Sequence, residues 1–168
     1  TRKRLSGITP DEEGFCVKNK KIIFFGNWGP GEKALRKLLQ AGFEIDAVVT
    51  QHDEEKEPAD GYYNIVYNTA REKCISTFNE CNELINEISD MADHTGVSVA
   101  YNRIFRGDIL DRLSIVNFHP SRLPDYRGPS PVEWQIKDGC RSIGMTAHYV
   151  DSGIDTGLII RQCEYPVN

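Results

Sequence analysis

Lys21-Ile22-Ile23-Phe24-Phe25-Gly26, followed by Phe43-Glu44-Ile45-Asp46-Ala47-Val48-Val49-Thr50, is the stretch that decides the fold. The first run is short, apolar and bounded by a basic cluster and a turn, so it reads as a buried first strand. The second is rich in β-branched residues and reads as another strand. Between them, residues 32–41 carry Ala34, Leu35, Leu38 and Leu39 at helical spacing, and Gly42 stands where a helix terminates. Gly29-Pro30-Gly31 is expected to break the chain between strand and helix. Strand, helix, strand in this order implies a parallel pair joined by a right-handed crossover.

The pattern continues outward. Residues 51–61 read as a charged surface loop, residues 63–73 as a short helix, and residues 74–78 as a strand. Leu84, Ile85, Ile88 and Met91 give residues 82–92 an apolar helical face. Val97-Ser98-Val99-Ala100-Tyr101 reads as a strand, and residues 104–113 as a turn with a short helix. A strand over residues 114–118 follows. Pro131 suits the first turn of a helix over residues 131–137. Residues 143–150 alternate as a strand does, and residues 158–167 form a last strand. Alternating strands and helices imply an α/β domain of three layers, with a mainly parallel sheet and helices on both faces. The last strands have no helix between them, so that edge is expected to turn antiparallel.

A chain of 168 residues fits one domain and can bury ~70% of its unfolded surface. With 39% hydrophobic and 27% charged residues, it belongs to neither the membrane-spanning nor the disordered class. Its apolar runs are too short to cross a bilayer, and residues 1–21 lack the apolar core of a signal peptide. Cys16, Cys74, Cys81, Cys140 and Cys163 are odd in number and dispersed, which points to reduced thiols and a cytoplasmic location. The net charge of −5 disfavours polyanionic partners for the chain as a whole. The basic cluster of residues 2–21 and the acidic cluster of residues 53–60 read as solvated surface.

The chemistry concentrates after the strand over residues 114–118. Asn117-Phe118-His119-Pro120-Ser121-Arg122-Leu123-Pro124-Asp125-Tyr126-Arg127-Gly128-Pro129 ends that strand in an amide donor and an imidazole two residues apart, then enters a proline-punctuated turn. On extended backbone both side chains face one side. Polar groups presented at the carboxyl edge of an open α/β sheet lie where ligands bind. Asp151-Ser152-Gly153-Ile154-Asp155-Thr156-Gly157 forms a loop between two later strands. If those strands neighbour the first, Asp155 can approach His119. An amide donor, an imidazole and a carboxylate suit acyl transfer to an amine, in which an oxyanion is stabilised and a proton removed. No G-x-S-x-G elbow is present, so direct attack by the acceptor is favoured over an acyl-enzyme.

These two motifs resemble those of the formyltransferase superfamily that uses 10-formyltetrahydrofolate. The likeness runs from about residue 21 to residue 167, and it implies the Rossmann-like formyltransferase fold. By that resemblance Asn117 donates to the formyl oxygen, and His119 helps to stabilise it or shuttles the proton. Asp155 orients His119 and relays protons through water. The segment Ala100-Tyr101-Asn102-Arg103-Ile104-Phe105 resembles the loop whose backbone holds the folate pterin, and Val150, Asp151 and Gly153 would border the folate. Val48-Val49-Thr50-Gln51 and Tyr126-Arg127-Gly128-Pro129 resemble the methionyl-tRNA and amino-sugar branches more than the glycinamide ribonucleotide branch.

The expected activity is therefore N-formyl transfer from 10-formyltetrahydrofolate to a primary amine, with a nucleotide-linked amino sugar as first choice of acceptor. The alternatives are the catalytic domain of a methionyl-tRNA formyltransferase, a formyltetrahydrofolate hydrolase, and a folate-binding module without catalysis. A tRNA partner is disfavoured by the acidic chain, no membrane partner is expected, and a homodimer stays open. Residues 1–20 are expected to be an amino-terminal extension and residues 21–168 the catalytic domain, whose stop just after a strand fits a piece of a longer protein. His148 is divided evenly between a structural histidine and a site residue. Ligand types alone would permit a metal centre from His119, His148, Asp151 and Asp155, but nothing in their spacing demands one, and none is expected. Gly26-Asn27-Trp28-Gly29-Pro30-Gly31 has the wrong order of glycines for a dinucleotide fingerprint, and its favoured reading is a tight strand-to-helix turn.

Overall fold

The computed structural model describes residues 21–52 and 64–167. The expected amino-terminal extension, residues 1–20, and most of the expected acidic loop lie outside the described residues. In chain order the elements are β1 (Lys21–Gly26), α1 (Trp28–Gln40), β2 (Ile45–Val49), α2 (Ile65–Glu72), β3 (Ser76–Phe78) and α3 (Cys81–Glu87). They continue with β4 (His94–Val99), α4 (Gly107–Leu110), β5 (Ile115–His119), α5 (Pro131–Lys137), β6 (Ser142–Tyr149) and β7 (Ile159–Pro166). The strands form one seven-stranded sheet in the order β3-β2-β1-β4-β5-β6-β7. Pairing is parallel from β3 through β5, and antiparallel between β5 and β6 and between β6 and β7.

The sequence explains this order. In β1 four consecutive side chains, Ile22, Ile23, Phe24 and Phe25, are at most 1% exposed, which only a central strand covered on both faces allows. Ile23 and Phe25 join Ala47, Val49 and Ile115 beneath α3 and α4, through Leu84 and Ile109. Ile22 and Phe24 join Val48 on the other face, beneath α1 and α2, through Leu35, Val66 and Ala70. Helices therefore cover both faces, as the alternating pattern requires. Truncating Phe24 or Phe25 to alanine would cost about 3–5 kcal/mol.

Element boundaries move where local chemistry overrides pattern. α1 begins at Trp28 rather than residue 32, and Gly29-Pro30-Gly31 lies in its first turn. Proline is tolerated there because the first N–H groups of a helix have no intrahelical partner. At the other end Gly42 adopts φ 82°. Its N–H reaches Leu39 O and that of Phe43 reaches Leu38 O, both at 3.1 Å, which closes the helix in a Schellman motif. α3 stops at Glu87 instead of residue 92, because Asp90 Oδ1 accepts the Ala92 N–H at 3.0 Å and offers the backbone an alternative to helix. Met91 is nevertheless buried in the same core. β4 starts at His94, three residues earlier than expected, and Tyr101 falls beyond its end.

Chain connections leave β1 toward β2 on one side and return to β4 on the other, so the topological switch lies between β1 and β4. Gly26 and Gly31 are both packing residues here. A Cβ on Gly26 would strike the Phe24 ring and Val99 O, and one on Gly31 would crowd Gly26 and Val99 O. The glycine-rich turn thus lets α1 sit close over the ends of β1 and β4.

Candidate active site

β5 alternates so that Asn117 and His119 share one face, and Phe118 points to the other. β6 lies antiparallel beside it, with His148 directly opposite Asn117 and Thr146 opposite His119. The strand pair thus adds a second imidazole to the face that holds the first. Asp155 comes from the loop between β6 and β7, in left-handed backbone with φ 50°, a conformation aspartate tolerates better than most residues. That loop passes so close to β6 that a Cβ on Gly157 would overlap the Tyr149 carbonyl oxygen, which explains the glycine. Asp151 Oδ1 accepts from Gly153 N at 3.0 Å and from Thr156 Oγ1 at 2.6 Å, folding the same turn.

Three side chains, those of Asn117, His119 and His148, converge on the Asp155 carboxylate. His119 Nδ1 lies 3.4 Å from Oδ2, and His148 Nε2 lies 3.4 Å from Oδ1. Asn117 Nδ2 is 3.5 Å from Oδ1 and 3.2 Å from His148 Nε2. Gly128 N donates to Oδ2 at 2.9 Å. His119 and His148 are 5% and 2% exposed, so these contacts act in a poorly screened setting. Burial alone would raise the pKa of Asp155. The His148 hydrogen bond, the Gly128 N–H and the nearby His119 outweigh it and hold the carboxyl below its ordinary value. Burial likewise works against charged His148, but bonding to Asp155 and to the Tyr149 carbonyl leaves its pKa raised.

Hydrogen-bond roles follow from what each partner can do. A carbonyl oxygen only accepts, so His148 Nδ1, 2.9 Å from Tyr149 O, carries a proton. His148 Nε2 then accepts from Asn117 when the ring is neutral and donates to Asp155 when it is charged. With the ring neutral both His148 Nε2 and Asp155 Oδ1 can accept from Asn117, and with it charged only Asp155 Oδ1, 3.5 Å away, can.

The loop after β5 hangs on a buried polar frame. Thr146 Oγ1 donates to Ser121 O at 2.7 Å and accepts from Leu123 N at 3.1 Å. Gln135 of α5 donates to Pro120 O at 2.8 Å and accepts from Gly144 N at 3.2 Å. Thr146, Ser121 and Gln135 are all buried. Sequence reading missed them, although Thr146 on an inward position of an alternating strand was a visible signal. It also missed the Tyr126 carbonyl, 2.8 Å from His119 Nε2, and the N–H of Gly128, since main-chain groups leave no residue signature.

The residues expected to border the folate divide into groups. Tyr101, Phe105 and Val150 pack together on the core beneath the face of Asn117, and Tyr101 meets Phe105 at 5.1 Å between ring centroids. Asn102 and Arg103 turn toward the ends of β1 and β2. Asn102 Oδ1 accepts from Asn27 Nδ2 at 2.9 Å, and Arg103 pairs with Glu80. Gln51, with its amide oxygen toward the guanidinium, accepts from Arg103 Nε at 3.0 Å. Asn27, 2% exposed, ties this patch to β2 by accepting from Gln51 N at 2.9 Å. Ile104 is 73% exposed, and Asp151 and Gly153 are exposed on the loop between β6 and β7. Among the described residues no group of three or more His, Cys, Asp or Glu side chains has the arrangement of a metal site. No helix among them is long and apolar enough to cross a membrane.

An open, mainly parallel α/β sheet with an amide, two imidazoles and a carboxylate gathered at the end of β5 has the make-up of a group-transfer enzyme. The formyl transferase family model matches residues 20–168, and the chain belongs to that family. It is 33% identical over 156 residues to methionyl-tRNA formyltransferase of Trichormus variabilis, which covers 88% of this chain and 47% of that protein. The chain thus spans about half the length of the curated relatives it matches. Phosphoribosylglycinamide formyltransferase of Bacillus halodurans superposes with a TM-score of 0.69 at 25% identity, over 89% of this chain and 81% of that one. An N-formyltransferase of Helicobacter canadensis, solved with folinic acid and dTDP-3-aminofucose, superposes with a TM-score of 0.68 at 23% identity. That match covers 89% of this chain and 54% of the other.

Proposed function

We propose that this chain carries the catalytic centre of an N-formyltransferase that moves a formyl group from 10-formyltetrahydrofolate to a primary amine. The observation that carries the reading is the convergence of Asn117, His119 and His148 on the Asp155 carboxylate, all within 3.5 Å. The neutral amine attacks the formyl carbon, forming a C–N bond and pushing the carbonyl electrons onto oxygen. Asn117 Nδ2 donates to that oxyanion, a contribution of about 3–4 kcal/mol for a preorganised donor. His119, backed by anionic Asp155, accepts the proton the amine must lose. The bond from the folate nitrogen to the formyl carbon then breaks, its electrons returning to that nitrogen, which takes up a proton. A formamide and tetrahydrofolate result. Tyr101, Asn102, Arg103, Ile104, Phe105, Val150, Asp151 and Gly153 border the folate in this reading, on the two loops that flank Asn117.

The acceptor in this reading is a nucleotide-linked amino sugar. The chain's net charge of −5 supports it, because a polyanion such as tRNA is drawn to basic surface. A methionyl-tRNA acceptor is the second reading, favoured by the identity to methionyl-tRNA formyltransferases. The deciding experiment offers 10-formyltetrahydrofolate with amino-sugar nucleotides, methionyl-tRNA and glycinamide ribonucleotide in parallel, and reads formylated product by mass spectrometry. Product from a sugar nucleotide is expected. Product from charged tRNA alone would transfer the assignment to the second reading, and no product from any amine would end both.

A further inference from the structure

The two ring nitrogens of His119 are held differently. Nε2 lies 2.8 Å from the main-chain carbonyl of Tyr126, and a carbonyl only accepts, so Nε2 keeps its proton whether the ring is neutral or charged. Nδ1, the atom 3.4 Å from Asp155 Oδ2, is left as the ring position that the carbonyl does not oblige to carry a proton. The choice of working nitrogen therefore rests on where one carbonyl oxygen sits.

That carbonyl belongs to a residue in left-handed backbone, with φ 55° at Tyr126. For a bulky aromatic residue this conformation is unfavourable and needs outside support. The Ser121 hydroxyl holds the neighbouring Asp125 carbonyl at 2.6 Å, and the Tyr126 phenol adds a side-chain anchor of its own. Tyr126 OH donates to Asp138 Oδ2 at 3.0 Å, just after α5, and lies 3.5 Å from Cys140 Sγ. Two residues on, Gly128 N donates to Asp155 Oδ2 at 2.9 Å. One three-residue segment thus touches both His119 and Asp155, and the phenol ties it to the turn between α5 and β6. Hydrogen bonding to Cys140 and to Asp138 also pushes the phenol pKa above its ordinary value.

We propose that Tyr126 is a positioning residue for formyl transfer: its phenol, tethered to Asp138, holds the carbonyl that fixes His119 with the proton on Nε2 and leaves Nδ1 free to work with Asp155. The proposal rests on the catalytic role given to His119 above. Tyr126→Phe keeps the ring and removes the tether. Asp138→Ala removes the same bond from the other side, outside the catalytic groups, and Asp138→Asn restores an acceptor through its amide oxygen.

The test reads 15N shifts of the His119 ring, assigned against His119→Gln, together with steady-state kinetics. The wild-type protein is expected to show Nε2–H as the neutral tautomer. Tyr126→Phe and Asp138→Ala should both admit Nδ1–H, because anionic Asp155 draws the proton once the carbonyl is loose. Both should lower kcat about tenfold, with KM for the donor little changed. The double variant should be no worse than either single one, and Asp138→Asn should recover most of the loss. A wild-type Nδ1–H tautomer would overturn the proposal, as would variants whose ring shifts stay unchanged while kcat falls. The ring shifts need no substrate, so an altered tautomer in a protein with no transfer activity leaves the tether standing and refutes the reaction instead.

Discussion

Two histidine–aspartate pairs lie at opposite ends of this sheet, and the tighter one is not the candidate catalytic pair. At the amino end of the strands His94 Nε2 meets Asp46 Oδ2 at 2.9 Å, and Lys21 Nζ stands 3.4 Å from Asp46 Oδ1. At the carboxyl end His119 and Asp155 are 3.4 Å apart. Asp46 serves one imidazole and one ammonium near solvent, which is a strut between β1, β2 and β4. Asp155 serves two imidazoles, an amide and a main-chain N–H, at the edge where an open α/β sheet binds ligands. Contact distance does not separate the two pairs. Number of partners and position in the sheet do.

Exchanging function for stability should therefore give opposite results at the two ends. The largest effect is expected from His119→Ala and Asp155→Ala, which should lower kcat/KM for formyl transfer by about 10²–10⁴-fold, with a small change in thermal midpoint. Asn117→Ala comes next, with a loss of about 10²–10³-fold in kcat as the oxyanion donor disappears. His94→Leu should cost about 1–2 kcal/mol in a denaturant titration, while leaving kcat/KM within a few-fold of wild type.

The smallest effect is in the pH dependence of stability. The His94 hydrogen bond, reinforced by Lys21 and opposed by burial, holds Asp46 below its ordinary pKa. A depressed carboxylate contributes stability that is fully present above its unfolded pKa of ~3.9 and is lost as pH falls through its folded value. Asp46→Asn should flatten that acid decline in thermal midpoint without touching activity at neutral pH. An unchanged acid limb would mean the strut contributes nothing.

The same contrast explains what could be read from the sequence. Residues 21–26 announced a buried strand because four consecutive apolar side chains admit little else, and Gly42 announced a helix end because its backbone is left-handed. Asn117 and His119 could be placed on one face because strand alternation puts residues two apart together, whereas Asp155 was singled out by the resemblance of its loop motif to the formyltransferase superfamily. His148 was not, because its alliance with Asn117 depends on strand register between β5 and β6, which no local pattern encodes. The strut at His94 was equally hidden. His94-Thr95-Gly96 has the composition of a loop, and it becomes strand by pairing with Lys21, Ile22 and Ile23 of β1, while Gly96 leaves room for Ile115. The Tyr126 carbonyl and the Gly128 N–H reach His119 and Asp155 as main-chain groups, which leave no mark in the sequence.

The most direct test compares kcat/KM for formyl transfer in His119→Ala and in His94→Ala, assayed side by side at neutral pH with the thermal midpoint of each. A loss of at least about a hundredfold is expected for His119→Ala at near-native stability, and near-native turnover for His94→Ala at reduced stability. Equal turnover in the two variants, or the greater loss at His94, would contradict that expectation.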